Sequence, residues 1–322
     1  MMKLKYLFNN EALATTCLDN WTYDPASLDL FKYFRLSANA IYPFKDEDRL
    51  QYLRMSPDEE KDYESLIGEV ELLTQLKGLG INVPAIIPSK EGQFVKKCET
   101  SWGNYYSVVF EGIRGNTLEN TALTEDIIIR QGKLLGRVHK ACQSIDATVI
   151  RPTAIDRLNW IVGVLNELPD ESIAIEHAQQ LNRELTSLPT APEHFGLIHY
   201  DFELDNIILS SETGELYVID FDDSLYGWYE LDIMNALSSL EDECEHDQLN
   251  AFKSAFLKGY ESETTYHRLT DEQRHSLKKF VALYKYTRIK RSIVEPVDNE
   301  PEWMTQLQSR LHFVSAELLK TL

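Results

Sequence analysis

Residues 195–220 constrain the fold more than any other part of the chain. An apolar run, Leu197-Ile198, leads into His199-Tyr200-Asp201-Phe202-Glu203-Leu204-Asp205-Asn206. A second run, Ile207-Ile208-Leu209, follows, then a polar turn over Ser210–Gly214, then Leu216-Tyr217-Val218-Ile219-Asp220. Short apolar runs bounded by turn residues read as buried strands. The pattern is therefore a strand, a loop rich in carboxylates, and a tight hairpin. The hairpin brings Asp220 back beside Asn206, so oxygen-bearing side chains from distant positions meet at one end of it.

That grouping suits phosphoryl transfer. Such a reaction needs a carboxylate to orient and deprotonate an accepting hydroxyl, and oxygen ligands for a magnesium ion that bridges nucleotide phosphates. The spacing His-x-Asp-x4-Asn, followed by a strand ending in Asp, assigns Asp201 as base and Asn206 with Asp220 as metal ligands. A bland alternative is a buried histidine beside solvated loop carboxylates.

The flanking halves differ. Leu28–Leu36, Ala40–Phe44 and Leu50–Met55 read as strands joined by loops too short for crossovers, hence an antiparallel meander. Ser56-Pro57 looks like a helix start, and Ile67, Val70, Leu72, Leu73 and Leu76 give that helix one apolar face. Strands are expected again at Ala85–Ile87, Gln93–Val95 and Tyr105–Phe110. Beyond Glu125 helical patterns dominate: Glu125–Gln143, Ser172–Leu188, Leu231–Leu240, Gln248–Glu261, Asp271–Ile293 and Glu302–Leu322. The expected class is α+β and bilobal, with residues 1–111 as a sheet lobe carrying one helix and 112–322 as a larger helical lobe. The linker candidate is Glu111–Asn116.

Charge narrows the function. The chain has 52 acidic and 32 basic residues and a net charge of −20, which disfavours nucleic-acid and anionic-membrane partners and would suit a cationic substrate. Cys17, Cys98, Cys142 and Cys244 have no metal-ligand spacing and read as reduced thiols. The first ten residues lack the apolar run of a signal peptide, so a cytoplasmic location is expected. Neither a G-x-G-x-x-G loop nor a Walker A loop is present.

On the residues from Phe195 to Asn206, on Ile219-Asp220-Phe221-Asp222-Asp223 and on Trp228-Tyr229-Glu230-Leu231-Asp232-Ile233, the sequence resembles the aminoglycoside phosphotransferase and choline kinase superfamily, over roughly residues 30–290. The resemblance implies a protein-kinase-like fold, ATP as donor (GTP being the alternative), Mg2+, and a small hydroxyl-bearing acceptor. It implies a supporting place for His199 within the motif. It places Asp232 either as an anchor of the catalytic loop or as a helix cap. The family's phosphate-gripping lysine is replaced by Arg54, whose helix partner would be Glu69; an arginine there offers a planar fork instead of a point charge. Phe110, Glu111 and Ile113 fall at the hinge, where the backbone of Glu111 and Ile113 would meet the adenine edge. Asp222 either assists the metal, orients substrate or caps structure. Two other readings compete with a small-molecule kinase. One is a protein kinase, which the short Asp220–Asp232 interval disfavours. The other is a nucleotide-binding pseudokinase, whose support is Arg54.

Overall fold

The computed structural model describes residues 2–146, 148–244, 246–295 and 300–322. A helix α1 (Glu11–Leu18) precedes strands β1 (Arg35–Leu36), β2 (Ala40–Asp46) and β3 (Arg49–Pro57), helix α2 (Tyr63–Gly78), and strands β4 (Ile86–Ile87), β5 (Lys96–Thr100) and β6 (Gly103–Glu111). These six strands form one antiparallel sheet in the order β1-β2-β3-β6-β4, with β5 also on β6. Alternate residues of β2 and β3 point inward. Tyr42, Phe44, Leu53 and Met55 pack with Leu13, Cys17 and Leu18 of α1 into a closed apolar cluster.

Three local expectations fail for identifiable reasons. Residues 28–33 are not strand but part of a 3-10 helix, Pro25–Tyr33. Asp24 caps it by accepting from the Ala26 amide at 2.9 Å, and Pro25 sits at its first turn. Ser56 and Pro57 do not start α2, because they extend β3 against Tyr106 and Tyr105. The helix begins six residues later, where Asp62 accepts the Ser65 amide at 2.7 Å. The strand expected at Gln93–Val95 lies at Lys96–Thr100, since the tight turn before Gly103 (φ +113°) pairs Thr100 with Gly103 and fixes that register.

The remainder is mainly helical. Strand β7 (Gly115–Thr117) leads to α3 (Glu125–Cys142), α4 (Ala154–Glu167), α5 (Ser172–Thr186), strands β8 (Phe195–Ile198), β9 (Ile207–Ser210), β10 (Leu216–Val218) and β11 (Leu225–Trp228), and then α6 (Tyr229–Glu243), α7 (His246–Glu261), α8 (Asp271–Ile293) and α9 (Glu302–Leu319). The architecture is thus α+β, an antiparallel sheet followed by a mainly helical region. Helix α4 and strand β11 are additional to the sequence expectation. The helix carries a full capping box, Thr153 with Asp156, and buries Leu158, Ile161 and Leu165. The expected hairpin is present: β9 and β10 pair antiparallel, with Val218 opposite Ile207.

Two helices come unusually close. A Cβ on Gly132 of α3 would lie 2.0 Å from the Phe256 carbonyl oxygen of α7, and one on Gly259 would lie 2.0 Å from that of Ile129. Only glycine permits that approach. Helix α3 also reaches the loop 199–206, through the contact of His139 with Asp232 described next.

Candidate active site

Strand β8 ends at Ile198, and the loop 199–206 is folded by its own polar groups. Asp232 of α6 is fully buried. Its carboxylate accepts the His199 amide at 2.9 Å and the Tyr200 amide at 2.6 Å, and lies 2.9 Å from His139 Nε2. Asp232 thus ties the loop down and is not a cap, for the helix begins at Tyr229 with no side-chain cap. Tyr200 is held at φ +72°, a conformation that costs a non-glycine residue roughly 1–3 kcal/mol. Anchoring by Asp232 keeps that turn in place.

His199 is buried, and its two nitrogens are both used. Nδ1 accepts the Asp201 amide at 3.2 Å, and Nε2 donates to the Ile219 carbonyl at 2.9 Å. The ring therefore bridges the loop to the strand that ends in Asp220. Burial holds its pKa below the ordinary histidine value, which keeps this donor–acceptor arrangement neutral.

Asp201 lies half-buried in the loop. Asn206 Nδ2 donates to its carbonyl at 2.9 Å and to its carboxylate at 3.0 Å. Burial, together with Asp223 and Asp205, pushes the Asp201 carboxyl up to about 6, against Arg288 and the Asn206 bond. The Ile219 amide donates to the Asn206 carbonyl at 3.0 Å, so Asp220 is delivered next to Asn206. Asp220 has φ +63° and is exposed. Surrounding protein and the Asp222 charge raise its carboxyl to about 7, although Arg54 opposes this. The Asn206 amide oxygen has no donor among the described residues.

These two oxygen-bearing groups fit a magnesium ion. That ion takes one or two protein oxygens and completes its shell with phosphates and water. A crowded, exposed carboxylate next to a free amide oxygen is such a donor set. Among the described residues no cluster of three or more His, Cys, Asp or Glu residues forms a metal site.

Arg54 and Glu69 meet as a two-pronged pair, at 2.8 and 2.5 Å, both buried. Burial works against the guanidinium charge, but Glu69, Asp222 and Asp220 more than restore it, so its pKa lies above the ordinary value. The Arg54 Nε is buried without a partner, and the guanidinium lies 4.8 Å from the centre of the Phe110 ring. At the strand end, the Glu111 amide is taken by the Ala85 carbonyl at 2.8 Å, and its carboxylate by the Ala85 amide and Lys77. This leaves the Glu111 amide unable to serve a ligand. Ile113 has no hydrogen-bond partner among the described residues. Gly112 lies where a Cβ would sit 2.8 Å from the Leu50 carbonyl oxygen, which keeps this segment tight against β3.

Asp222 is buried and joins residues from the N-terminal sheet region. Lys61 pairs with it at 2.7 Å and Asn39 donates to it at 3.2 Å. Ser56 Oγ donates to Asn39 at 2.6 Å. Although burial opposes its charge, Lys61 and Arg54 hold the Asp222 carboxyl far below its usual range. Lys61 and Asn39 carry no motif and were invisible to spacing arguments. The same holds for Arg157 of α4 and Arg288 of α8, which converge on Asp223. Lys285, Lys290 and Arg291 lie on the same helix as Arg288. In the fold Lys290 pairs with Glu171 and Arg291 with Glu60.

Comparison with known proteins places this geometry. A profile described as the phosphotransferase enzyme family matches residues 37–271. Amicoumacin kinase of Bacillus subtilis (strain 168) is 23% identical over 271 residues, covering 80% of this chain and 78% of that protein. An amicoumacin kinase solved with AMP-PNP, Ca2+ and Ami superposes with a TM-score of 0.72 at 18% identity, covering 97% of this chain and 94% of the other. A microcompartment-associated aminopropanol kinase superposes with a TM-score of 0.67 at 21% identity, covering 96% and 95%. Among the described residues no helix is long and apolar enough to cross a membrane.

Proposed function

This chain belongs to the phosphotransferase enzyme family, and from that premise we propose that it moves the terminal phosphoryl group of ATP to a hydroxyl of a small, amine-bearing acceptor. The observation that carries the reading is the Asp201–Asn206 contact at 2.9 and 3.0 Å, with Asp220 delivered beside it through Ile219. The solved relative in complex with AMP-PNP and Ca2+ supports a nucleotide and a divalent ion as co-reactants.

In this reading Asp201 accepts the hydroxyl proton as the acceptor oxygen bonds to phosphorus and the bridging bond to ADP breaks. Asn206 steers the Asp201 carboxylate, and its own free amide oxygen, with Asp220, would hold magnesium. That ion supplies charge that offsets the phosphates. Arg54, kept oriented by Glu69, faces the phosphates from residues 1–111, the nucleotide lobe. Phe110 and the free backbone of Ile113 line the adenine end, and the Glu111 carbonyl, not its amide, is the group left for it. Residues 112–322 form the catalytic and acceptor lobe.

The amine preference is supported by acidity around the base. Glu203 is pushed up to about 7 by burial and by Asp201, Asp205 and Asp242. A bound ammonium would relieve that repulsion. The amicoumacin and aminopropanol kinases among the relatives agree with such a class. Strand β11 fills part of the short Asp220–Asp232 interval, which argues against a regulated protein kinase.

The deciding experiment is Asp201→Asn. Phosphoryl transfer to a panel of amino alcohols and aminoglycosides falls at least ~1,000-fold, while ATP binding by calorimetry with Mg2+ is retained. Undiminished turnover sinks the mechanism.

A further inference from the structure

The turn between β1 and β2 carries an unusual residue for its place. Ser37 is exposed and Ala38 half-buried, yet Asn39 is only 2% exposed. A polar side chain buried from a surface turn must find partners. Asn39 finds two, from distant parts of the chain. Its Oδ1 accepts the Ser56 hydroxyl at 2.6 Å, and its Nδ2 donates to Asp222 Oδ2 at 3.2 Å. The direction is fixed. That carboxylate oxygen also takes Lys61 Nζ at 2.7 Å, so it can only accept, and the Ser56 hydroxyl is left to donate.

These partners bracket the phosphate end of the site. Ser56 lies two residues beyond Arg54 on β3, and Asp222 lies two beyond Asp220. Ile41, two residues beyond Asn39, stands opposite Arg54 in the sheet. Arg54 is within electrostatic reach of both Asp222 and Asp220. On the other side a cavity of about 530 Å³ opens between the segment before α2 and helices α4 and α8. Ala38, Lys61 and Asp222 line that cavity, whereas Arg54 and Asp220 do not. The Asn39–Asp222 contact is thus part of the wall between the two. The turn is braced from outside as well. The Met2 amide donates to the Ser37 carbonyl at 3.1 Å, and the Ser37 amide to the Asn39 carbonyl at 3.0 Å. The Ala38 and Asn39 amides have no acceptor among the described residues.

We infer that Asn39 is a positioning residue for the nucleotide. Protein kinases cover the phosphates with a glycine-rich loop, whose backbone is free to wrap them. This chain has no such loop. It fixes a short turn with one buried side chain, tied to the segment that carries Asp220. The turn is thereby set over the phosphates before nucleotide arrives, and binding does not have to order it. Asn39 touches Asp222 and not the nucleotide, so it acts through the turn. The inference rests on the kinase reading above and adds to it a residue that sets nucleotide affinity.

The test is a double-mutant cycle on the Asn39–Asp222 contact, read as the Kd for ATP with Mg2+ by calorimetry, with no acceptor present. Asn39→Ala weakens binding ~10-fold. Asp222→Asn weakens it on its own account. The double variant binds about as well as the poorer single variant, far short of the product of the two effects, because both remove the same tie. Ser56→Ala removes one hydroxyl and frees the Asn39 amide to turn, and it weakens binding ~3-fold. That variant carries the test if Asn39→Ala fails to fold. Effects that multiply overturn the inference. So does an Asn39→Ala or Ser56→Ala protein whose Kd stays within 1.5-fold of wild type, even if its unfolding midpoint falls, since that assigns the contact to stability alone. Wild-type protein that binds no ATP sinks the kinase reading itself, a distinct signature.

Discussion

Replacing Asp232 by asparagine keeps the size of the side chain and removes its charge and half its accepting capacity. In the native loop one oxygen accepts the Tyr200 amide at 2.6 Å, and the other accepts the His199 amide at 2.9 Å and lies 2.9 Å from His139. Whichever way the new amide turns, its NH2 group points at a backbone N–H. If the carbonyl stays on Tyr200, the His199 amide is orphaned in a fully buried site. Leaving a buried donor unpaired costs about 1–3 kcal/mol, and losing charge assistance at Tyr200 adds about 1 kcal/mol. His139 can change tautomer and accept from the new amide, which spares a further penalty. The sum is about 3 kcal/mol, a large share of the ~5–15 kcal/mol that holds a typical domain folded. Denaturant unfolding with the slope unchanged measures it. A second readout separates positioning from stability. The left-handed turn at Tyr200 is held through two neighbouring amides, and loss of the His199 bond with a weaker Tyr200 bond loosens it, so kcat should fall at least ~10-fold under conditions where the variant is fully folded. An unchanged unfolding midpoint together with a kcat within twofold of wild type would refute the anchoring argument.

Two further outcomes follow from the same geometry. Glu69→Gln strands a buried guanidinium and lowers stability by about 3 kcal/mol, with a matching rise in the KM for ATP; a loss below ~1 kcal/mol in denaturant titration counts against the pairing. In its proposed role Asp201 must be ionised to accept a proton, and its carboxyl is raised to about 6 by burial, Asp223 and Asp205. Activity is therefore full above that pH and declines as pH falls through it, so kcat/KM shows an acid limb near 6; a limb below 5 means the site does not crowd this carboxylate.

Much of the centre was legible because its signal is local. His199, Asp201, Asn206 and Asp220 lie within one strand, loop and hairpin, and apolar alternation with turn residues encodes that unit directly. The Arg54–Glu69 pair was also readable, since strand order and a single helix limit the candidates. What escaped depends on contacts far apart in sequence. Asn39 meets Asp222 across 183 residues, and Arg288 meets Asp223 across 65. Neither has a spacing to search for. Local misreadings have a similar cause. Ser56-Pro57 has good helix-start chemistry, but the pairing of β3 with β6, formed by residues some fifty positions on, outweighs it. Leu28–Tyr33 alternates like a strand, yet the Asp24-Pro25 start turns it into a helix.

The close crossing of α3 and α7 bears on how such an enzyme can change under selection. Gly132 and Gly259 each press on the opposite backbone at 2.0 Å for a notional Cβ, so neither can drift to a larger residue alone, and repairing one does not relieve the other. Through His139 the same helix pair is joined to Asp232 and the loop of the base. This part of the protein is closed to gradual remodelling. Side chains change more readily on α4, where Trp160 is exposed at the cavity and a Cβ on Gly163 would meet nothing within 4 Å. The α3–α7 crossing and the cavity face of α4 are thus separately mutable surfaces.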